Sequence, residues 1–353
     1  MLEQPNIPEE HLRACLREQY ALAVATLEFL PLGADNRSGV YRMESEQGTS
    51  YLLKARSGSF YEPSCLVPHY LSEQGIAAVV APLPTKSGGL WTRLGEWTLI
   101  VYPFIEGHTR WNPGLTDAQW QAVGTALRQI HQARLPAEGF PALRTEAFDP
   151  AEYRRMVHAL ETEHISAEGG SQMEQTLRAA WRTYQQTIHT GLASLERLAA
   201  VLQRQAGPFV ICHADLHPGN IIRPQASNEV FVIDWDDVML APRERDFLFV
   251  GETRGDGSVQ QDTTAFFQGY GQAEIDWIAL TYYLWERAIQ DLLYDAEAVF
   301  LRDDVGEANK AAALKTFHAV FVGASNEVDK ALAAAAHLPA DLRIPTRRHL
   351  YEY

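Results

Sequence analysis

The stretch HADLHPGN at residues 213–220, followed by VFVIDWDD at residues 230–237, carries the pattern that decides the fold of this chain. Between the two motifs, strand-forming residues lie on either side of the turn sequence PQASN, which predicts a β-hairpin. Folding the hairpin brings Asn220, at the start of its first strand, beside Asp234, at the end of its second strand. Asp215 lies in the loop that leads into the hairpin. The spacing therefore predicts two carboxylates and one amide at one end of a rigid hairpin.

This cluster has the chemistry of a phosphoryl-transfer site. Oxygen ligands of this kind suit Mg²⁺, which takes one or two protein carboxylates together with substrate phosphates and water. We therefore predict Asn220 and Asp234 as Mg²⁺ ligands. Asp215 remains to accept or orient the proton of a substrate hydroxyl group, so it is the predicted catalytic residue.

A lysine earlier in the chain fits the same chemistry. Only five of the thirty basic residues are lysines, and Lys54 in SYLLKAR (residues 50–56) is the one that lies within an apolar strand. Phosphoryl transfer needs positive charge at the α- and β-phosphates, an anchor for that charge and a lid over the phosphates. We predict that Lys54 supplies the charge and that Glu62, at the start of the next helix, pairs with it. The loop LGADNRSG supplies the candidate lid residues Asp35, Asn36 and Ser38.

The chain changes character after about one hundred residues. Strand patterns occur at residues 23–30, 40–45, 50–56, 77–84 and 97–105, around a helix predicted at 62–74. Helical spacing then dominates, with a capping box formed by Thr116 and Gln119 and a long helix predicted at 307–333. The predicted fold class is α+β, with a small antiparallel sheet lobe that contains one inserted helix and a larger, mainly helical lobe. We place the lobes at residues 1–103 and 104–353, with a hinge at about 102–107.

Composition argues against several classes of protein. The net charge of −15 opposes nucleic-acid binding, which depends on Lys and Arg, and it is compatible with attraction of a cationic small molecule. No segment approaches the roughly 20 apolar residues of a membrane helix, and the first twenty residues carry acids without an apolar run. Three cysteines without metal-ligand spacing favour a reducing compartment. We expect a cytoplasmic protein with no nucleic-acid, membrane or obligate protein partner.

The two motifs resemble the H-x-D-x-x-x-x-N … I-D pattern of the aminoglycoside phosphotransferase and choline kinase group, which are relatives of protein kinases. Further blocks look like the spectinomycin phosphotransferases of that group, and the match runs with gaps from about residue 20 to residue 300. These blocks are VYPFIEG, LRQIHQA, FVIDWDDVMLAPRERDFLFVG, FFQGYG and YYLWERAIQDL. The resemblance implies a protein-kinase-like two-lobed fold, with nucleotide bound by the N-terminal lobe and the catalytic loop and substrate cleft in the helical lobe.

The resemblance also implies roles for individual residues. For Asp215, Asn220, Asp234, Lys54 and Glu62, it implies the roles that the residue pattern already predicts. The hinge backbone at Pro103, Phe104 and Ile105 would bind the adenine edge of the nucleotide, and Asp246 would brace the catalytic loop.

The leading expectation is an ATP- and Mg²⁺-dependent O-phosphotransferase, with GTP as the alternative nucleotide. Its acceptor would be a hydroxyl group of an aminocyclitol or aminoglycoside antibiotic, with spectinomycin as the leading candidate, and phosphorylation would give resistance. Acids that could hold the cationic acceptor are Asp237, Glu286 and Asp291. Three alternatives remain open: another acceptor such as a different aminoglycoside, choline or a sugar, a metal-dependent hydrolase built on H-x-D-x-H, and a kinase-like protein that binds without turnover.

Overall fold

The computed structural model describes residues 4–31, 38–109, 114–205, 207–225, 227–250, 263–302, 306–323 and 326–343. The strands in these residues are β1 Val24–Leu30, β2 Ser38–Ser45, β3 Ser50–Ser57, β4 Thr92–Leu94, β5 Trp97–Pro103, β6 Arg144–Thr145, β7 Val210–Cys212, β8 Ile221–Ile222, β9 Phe231–Val232 and β10 Met239–Ala241. The α-helices are α1 Glu9–Tyr20, α2 Pro63–Glu73, α3 Asp117–Gln132, α4 Ala151–Leu160, α5 Gln172–Leu202, α6 Thr264–Tyr270, α7 Trp277–Phe300, α8 Glu307–Ala319 and α9 Glu327–Ala335. Within the described ranges, no helix combines the length and the apolar character needed to cross a bilayer.

The described residues form two compact units. The first unit draws on Met1–Thr145, Val210–Leu240 and Thr253–Ala273, and the second on Glu146–Phe209, Ala241–Glu252 and Glu274–Tyr353. The lobe boundary at 102–107 stays a prediction. Strands and helices both contribute to the first unit, whereas the second is mainly helical.

The first unit contains a five-stranded antiparallel sheet in the order β1-β2-β3-β5-β4. Side chains alternate between the two faces of a strand, and β3 shows this period clearly. Leu53 and Ala55 are fully buried in a core that includes Leu16 of α1. Lys54 and Arg56 occupy the alternate positions of β3. The alternation of β3 therefore directs one lysine and one arginine to the face opposite this core.

The segment at residues 77–84 does not form a strand of this sheet, so that prediction is wrong. Its first residues pair instead with the hairpin of β8 and β9, and Leu83 donates its N–H to the carbonyl oxygen of Val101 in β5 at 2.7 Å. Val80 donates its N–H to the carbonyl oxygen of Val232 at 3.1 Å, and Val232 donates to the carbonyl oxygen of Ala78 at 2.7 Å. Pro82 and Pro84 lack the N–H groups that a central strand needs. The segment thus connects the region after α2 to the hairpin.

Strands β8 and β9 form the predicted hairpin. Ile221 pairs with Val232 and Ile222 with Phe231 in antiparallel register. Ile221 and Val232 are buried, at 0% and 1% exposure, which fixes the register because a slip of one residue would expose them. The hairpin prediction is confirmed, and it supplies a rigid base for the residues at its end.

Long helices dominate the second unit. The buried rings of Trp181 on α5 and Trp285 on α7 lie in its core. The single helix predicted at 307–333 is wrong, because the structure divides it into α8 and α9. Gly323 adopts φ of 101°, and Asn326 caps α9 by accepting a hydrogen bond from the N–H of Asp329 at 2.9 Å.

Candidate active site

The loop at residues 213–220 and the end of the hairpin each contain a residue with an unusual backbone conformation, and a buried histidine joins them. Ala214 and Asp234 adopt left-handed φ angles of 72° and 63°. This conformation costs about 1–2 kcal/mol for a residue with a side chain, and such residues concentrate at functional sites. His213 is fully buried; its Nε2 donates to the carbonyl oxygen of Ile233 at 2.9 Å and its Nδ1 accepts from the N–H of Asp215 at 3.3 Å. The imidazole therefore fastens the loop to the end of the hairpin.

Asn220 connects the two predicted acids of the site. Its side-chain Nδ2 donates to the backbone carbonyl oxygen of Asp215 at 2.8 Å and approaches the Oδ2 atom of that residue at 3.4 Å. Its own backbone carbonyl oxygen accepts from the N–H of Ile233 at 3.0 Å, next to Asp234. Since the NH₂ group is committed to Asp215, the side-chain carbonyl oxygen is the atom of Asn220 that can serve as a metal ligand.

The histidines of the loop are engaged in hydrogen bonds within the loop and to the hairpin. The Nδ1 atom of His217 accepts from the N–H of Gly219 at 2.9 Å, and its Nε2 atom lies 3.5 Å from Oδ2 of Asp215. His213 likewise uses both ring nitrogens. Because a ring nitrogen must offer its lone pair to a metal, these contacts argue against a transition-metal site built on H-x-D-x-H.

Lys54 lies beside the end of the hairpin. Its Nζ donates to Oδ1 of Asp234 at 2.9 Å and to Oδ2 of Asp236 at 2.8 Å, and Arg56 donates to the same Oδ2 at 2.7 Å. Burial alone would lower the pKa of Lys54, but the charges of Asp234 and Asp236 outweigh it and raise that pKa. Burial likewise favours a higher pKa for Asp234, whereas Lys54 above all holds it below its usual value. Both groups are therefore charged at neutral pH.

The ion pair predicted between Lys54 and Glu62 is not formed in this structure. Glu62 is exposed at the N-terminal cap of α2, and the partners of Lys54 among the described residues are the two aspartates above. The nucleotide-binding role of Glu62 stays a prediction. Of the three lid candidates, Asp35 and Asn36 lie outside the described residues, and Ser38 begins β2 in register with Arg56.

The predicted adenine-binding segment follows the sheet and leads into residues that contact the hairpin. Pro103 ends β5, and Phe104 and Ile105 continue from it, partly buried. Two residues further on, a Cβ added to Gly107 would come within 2.7 Å of the carbonyl oxygen of Arg223. Glycine is therefore required where this segment passes the hairpin. Binding of adenine by residues 103–105 stays a prediction.

Asp237 is the most exposed of the three acids predicted to hold a cationic acceptor, with 57% of its side chain accessible. It lies 3.4 Å from Arg144, whose guanidinium also donates to the backbone carbonyl oxygen of Asp236 at 2.7 Å. Tyr61 lies under this guanidinium at 4.2 Å and donates its hydroxyl to the carbonyl oxygen of Val238 at 2.8 Å. These contacts hold the backbone that follows the hairpin.

The other two acids lie in the second unit and are paired with arginines. Glu286 is buried and forms an ion pair with Arg245. Burial raises the pKa of Glu286, although the charge of Arg245 opposes the shift. Asp291 accepts from Arg287 at 3.0 Å. Asp246 is buried at 1% exposure within a 3₁₀ turn, and its predicted bracing role stays a prediction, as do the acceptor contacts of the two acids.

Four residues of this site were not predicted from the sequence: Arg56, Tyr61, Arg144 and Asp236. The two-residue period of β3 would have placed Arg56 on the same face as Lys54. Asp236 stands two residues after Asp234 in VIDWDD, which places an extra acid near the hairpin. No local signal marks Tyr61 or Arg144, because both act on the backbone of a distant segment.

Comparison with known proteins agrees with this geometry. Residues 26–287 match the phosphotransferase enzyme family, and the chain belongs to that family. A crystal structure of spectinomycin phosphotransferase in complex with ADP and spectinomycin is similar, with a TM-score of 0.83 and 28% sequence identity over 94% of this chain and 99% of that chain. The StrN protein of Streptomyces griseus is 29% identical over 232 residues, which are 63% of this chain and 68% of that protein. An aminoglycoside phosphotransferase from Alicyclobacillus acidocaldarius shares the fold, with a TM-score of 0.58 and 19% identity over 97% of this chain and 96% of that chain.

These comparisons confirm the predicted class of fold and of enzyme. The chain has the α+β, protein-kinase-like two-lobed fold. It is a phosphotransferase that uses an alcohol group as acceptor.

Proposed function

We propose that this protein is an ATP- and Mg²⁺-dependent kinase that phosphorylates a hydroxyl group of an aminocyclitol antibiotic, with spectinomycin as the leading acceptor. The observation that carries the proposal is the gathering of Asp215, Asn220, Asp234 and Lys54 around one end of a buried hairpin. Such a site provides a proton acceptor, oxygen ligands and a phosphate-binding cation, which are the parts that phosphoryl transfer requires. Resistance to the antibiotic and a cytoplasmic location belong to the same proposal.

In this proposal each residue has a separate task. Asp215 accepts or orients the proton of the acceptor hydroxyl, and Asn220 and the buried imidazole of His213 keep its backbone in place. Lys54 neutralises charge on the nucleotide phosphates, and its ammonium group has a third N–H to donate beyond those engaged by Asp234 and Asp236. Catalysis then comes mainly from positioning and from charge neutralisation.

The donor set fits a magnesium ion. Asp234 offers a carboxylate whose pKa is lowered, chiefly by Lys54 against the effect of burial, so it is ionised at neutral pH. Asn220 offers its side-chain carbonyl oxygen, because its NH₂ group is bound to Asp215. Two oxygen ligands that leave room for water and phosphate match the preference of Mg²⁺. When bound there, the ion would neutralise charge on the transferred phosphoryl group.

The acceptor assignment rests on charge and on similarity. Spectinomycin carries secondary amines, which are positively charged at neutral pH, and the protein has a net charge of −15. The exposed Asp237 is better suited to attract such a ligand than the buried Glu286, whose charge is offset by Arg245. The similar phosphotransferase at 28% identity was crystallised with spectinomycin. The charge favours a cationic acceptor over a neutral sugar, and the similarity favours an aminocyclitol over choline.

The proposal is tested by ADP release with Mg-ATP in the presence of spectinomycin, several aminoglycosides, choline and simple sugars. We expect saturable turnover with spectinomycin and little with the others. The Asp215→Asn variant should reduce kcat by about 10²–10⁴-fold, because general-base catalysis contributes that much. Its dissociation constant for ATP should change little, since the proposal assigns Asp215 to the acceptor hydroxyl and not to the nucleotide.

A matched control is Glu44→Gln, which removes one negative charge from an exposed position on β2. It should keep the activity of the wild type. Turnover with another acceptor alone would show that the substrate is not an aminocyclitol, and the proposed mechanism would stand. Wild-type turnover in Asp215→Asn would contradict the role of Asp215, and tight ATP binding without turnover of any acceptor would favour a binding protein.

A further inference from the structure

Asp236 occupies a central position in the charge network of the site. Its Oδ2 atom accepts from Lys54 at 2.8 Å and from Arg56 at 2.7 Å. Lys54 and Arg56 are alternate residues of β3, so both side chains leave the same face of the sheet. One carboxylate oxygen therefore bridges two cations that are fixed on a central strand.

The main chain at Asp236 is held independently of its carboxylate. Its carbonyl oxygen accepts from Arg144 at 2.7 Å, and Tyr61 donates to the carbonyl oxygen of Val238 at 2.8 Å. On the other side, Trp235 is buried at 3% exposure and its ring packs 4.8 Å from that of His213. The carboxylate of Asp236 thus extends from a segment that is clamped on both sides.

We propose that Asp236 is the residue that positions Lys54 for the nucleotide phosphates, with Arg56 orienting Asp236. This inference rests on the proposed kinase function and assigns to Asp236 the anchoring task that the sequence assigned to Glu62. Asp236 is a positioning residue, because it acts through Lys54.

Two other carboxylates are weaker candidates for this task. Asp234 also contacts Lys54, but the proposed metal ion would share its negative charge and reduce its attraction for the ammonium group. Glu62 is exposed at the cap of α2 and does not pair with Lys54. The ion-pair partners of Asp236 among the described residues are Lys54 and Arg56, and the proposed site does not assign Asp236 to the metal ion.

A residue that anchors Lys54 should affect binding of the nucleotide phosphates and leave binding of the nucleoside unchanged. Replacing Asp236 by Asn keeps the shape of the side chain and removes the charge that attracts Lys54. Hydrogen bonds to charged groups contribute enough that ATP affinity should weaken about 10- to 100-fold. Arg56→Gln should have a smaller effect of about threefold, because a partly exposed pair contributes less. Adenosine, which has no phosphates, should bind all variants within about twofold of the wild type.

The experiment measures dissociation constants for ATP and adenosine, together with kcat/KM for ATP and KM for the acceptor, in wild type, Asp236→Asn, Arg56→Gln and Glu62→Gln. Glu44→Gln and Arg17→Gln are charge-matched controls at exposed positions of the first unit. Thermal unfolding verifies that each variant is folded. We expect Asp236→Asn to lose ATP affinity and kcat/KM for ATP together, with KM for the acceptor nearly unchanged and with a larger loss than Glu62→Gln.

Equal ATP affinity in Asp236→Asn and wild type would overturn the inference, as would a loss of adenosine binding of the same size, which would indicate general damage to the site. A large loss of ATP affinity in Glu62→Gln alone would indicate that Glu62, and not Asp236, positions Lys54. The binding measurements need no acceptor, so they test Asp236 even if spectinomycin is not phosphorylated. Failure of the wild type to bind ATP would reject the proposed function itself, and the inference with it.

Discussion

Replacing Asp295 by Asn should remove a pH-dependent loss of stability from the second unit. Asp295 lies on α7 with 5% exposure, and its Oδ1 accepts from Thr316 of α8 at 2.7 Å. Burial raises the pKa of this carboxyl group from 3.8 to about 7; the Thr316 hydrogen bond opposes the shift and the charge of Asp291 adds to it. The folded protein therefore keeps the proton of Asp295 at pH values where the unfolded chain has lost it.

The sign and size of the effect follow from proton binding. Below pH 3.8 the carboxyl group is protonated in both states and contributes no pH dependence. Between pH 3.8 and about 7 the folded state binds more protons, so the free energy of unfolding falls as the pH rises. Each pKa unit corresponds to about 1.4 kcal/mol, which gives a total loss of about 4 kcal/mol and about 3 kcal/mol of it between pH 5 and pH 8. That loss is large beside the 5–15 kcal/mol that is typical of folded proteins.

The measurement is urea unfolding, followed by circular dichroism, of wild type and Asp295→Asn at pH 5 and pH 8. The variant should lose about 3 kcal/mol less than the wild type between the two pH values, whatever its stability at either one. Glu297→Gln, which removes a carboxylate from the same helix, is the control for a general effect of charge. Equal pH dependence in wild type and Asp295→Asn would show that Asp295 is not protonated in the folded protein near neutral pH.

Two further substitutions test the close packing at Gly107 and the role of Lys54. Gly107→Ala should destabilise the protein by about 1–3 kcal/mol, because this is the usual cost of overpacking, here against the hairpin. The control is Gly207→Ala, where nothing lies within 4 Å of an added Cβ, and the Tm of Gly107→Ala should be the lower of the two. Lys54→Met should lower kcat/KM for ATP by about 100-fold while the KM for the acceptor stays nearly constant, because the proposed hydrogen bond to a charged phosphate is lost. The measurement is steady-state kinetics at saturating acceptor. An unchanged kcat/KM for ATP would show that Lys54 has another role.

The parts of the fold that could be predicted are those with local causes. The capping box at Thr116 and Gln119 forms as predicted, because both of its hydrogen bonds join residues three apart. The hairpin of β8 and β9 also follows from local sequence, since two apolar strands flank a polar turn. That hairpin in turn placed Asn220 beside the segment that contains Asp234. The central geometry of the site was therefore accessible without knowledge of the tertiary structure.

The wrong predictions arise where a tertiary contact decides between local alternatives. Val79 and Val80 are buried as they would be in a strand, but the N–H of Val80 and the carbonyl oxygen of Ala78 pair with Val232, more than 150 residues away in the chain. The helical pattern at 307–333 continues across residues that the structure uses for a turn, and Asn326 starts a new helix there. Periodicity reports which residues are buried, and it does not report which backbone groups pair with them.

The partner of Lys54 illustrates the same limit at the level of chemistry. Sequence proximity favoured Glu62, eight residues away, whereas the contacts are made by Asp234 and Asp236, which are 180 and 182 residues away. Burial of an ammonium group makes some negative partner necessary, and several acids could satisfy that requirement. Asp236 is in place for this contact because Arg144 and Tyr61 fix the backbone around it and Arg56 binds its carboxylate. The position of Lys54 in an apolar strand predicts that it needs a negatively charged partner. Which acid serves as that partner depends on the residues that hold the acid in position.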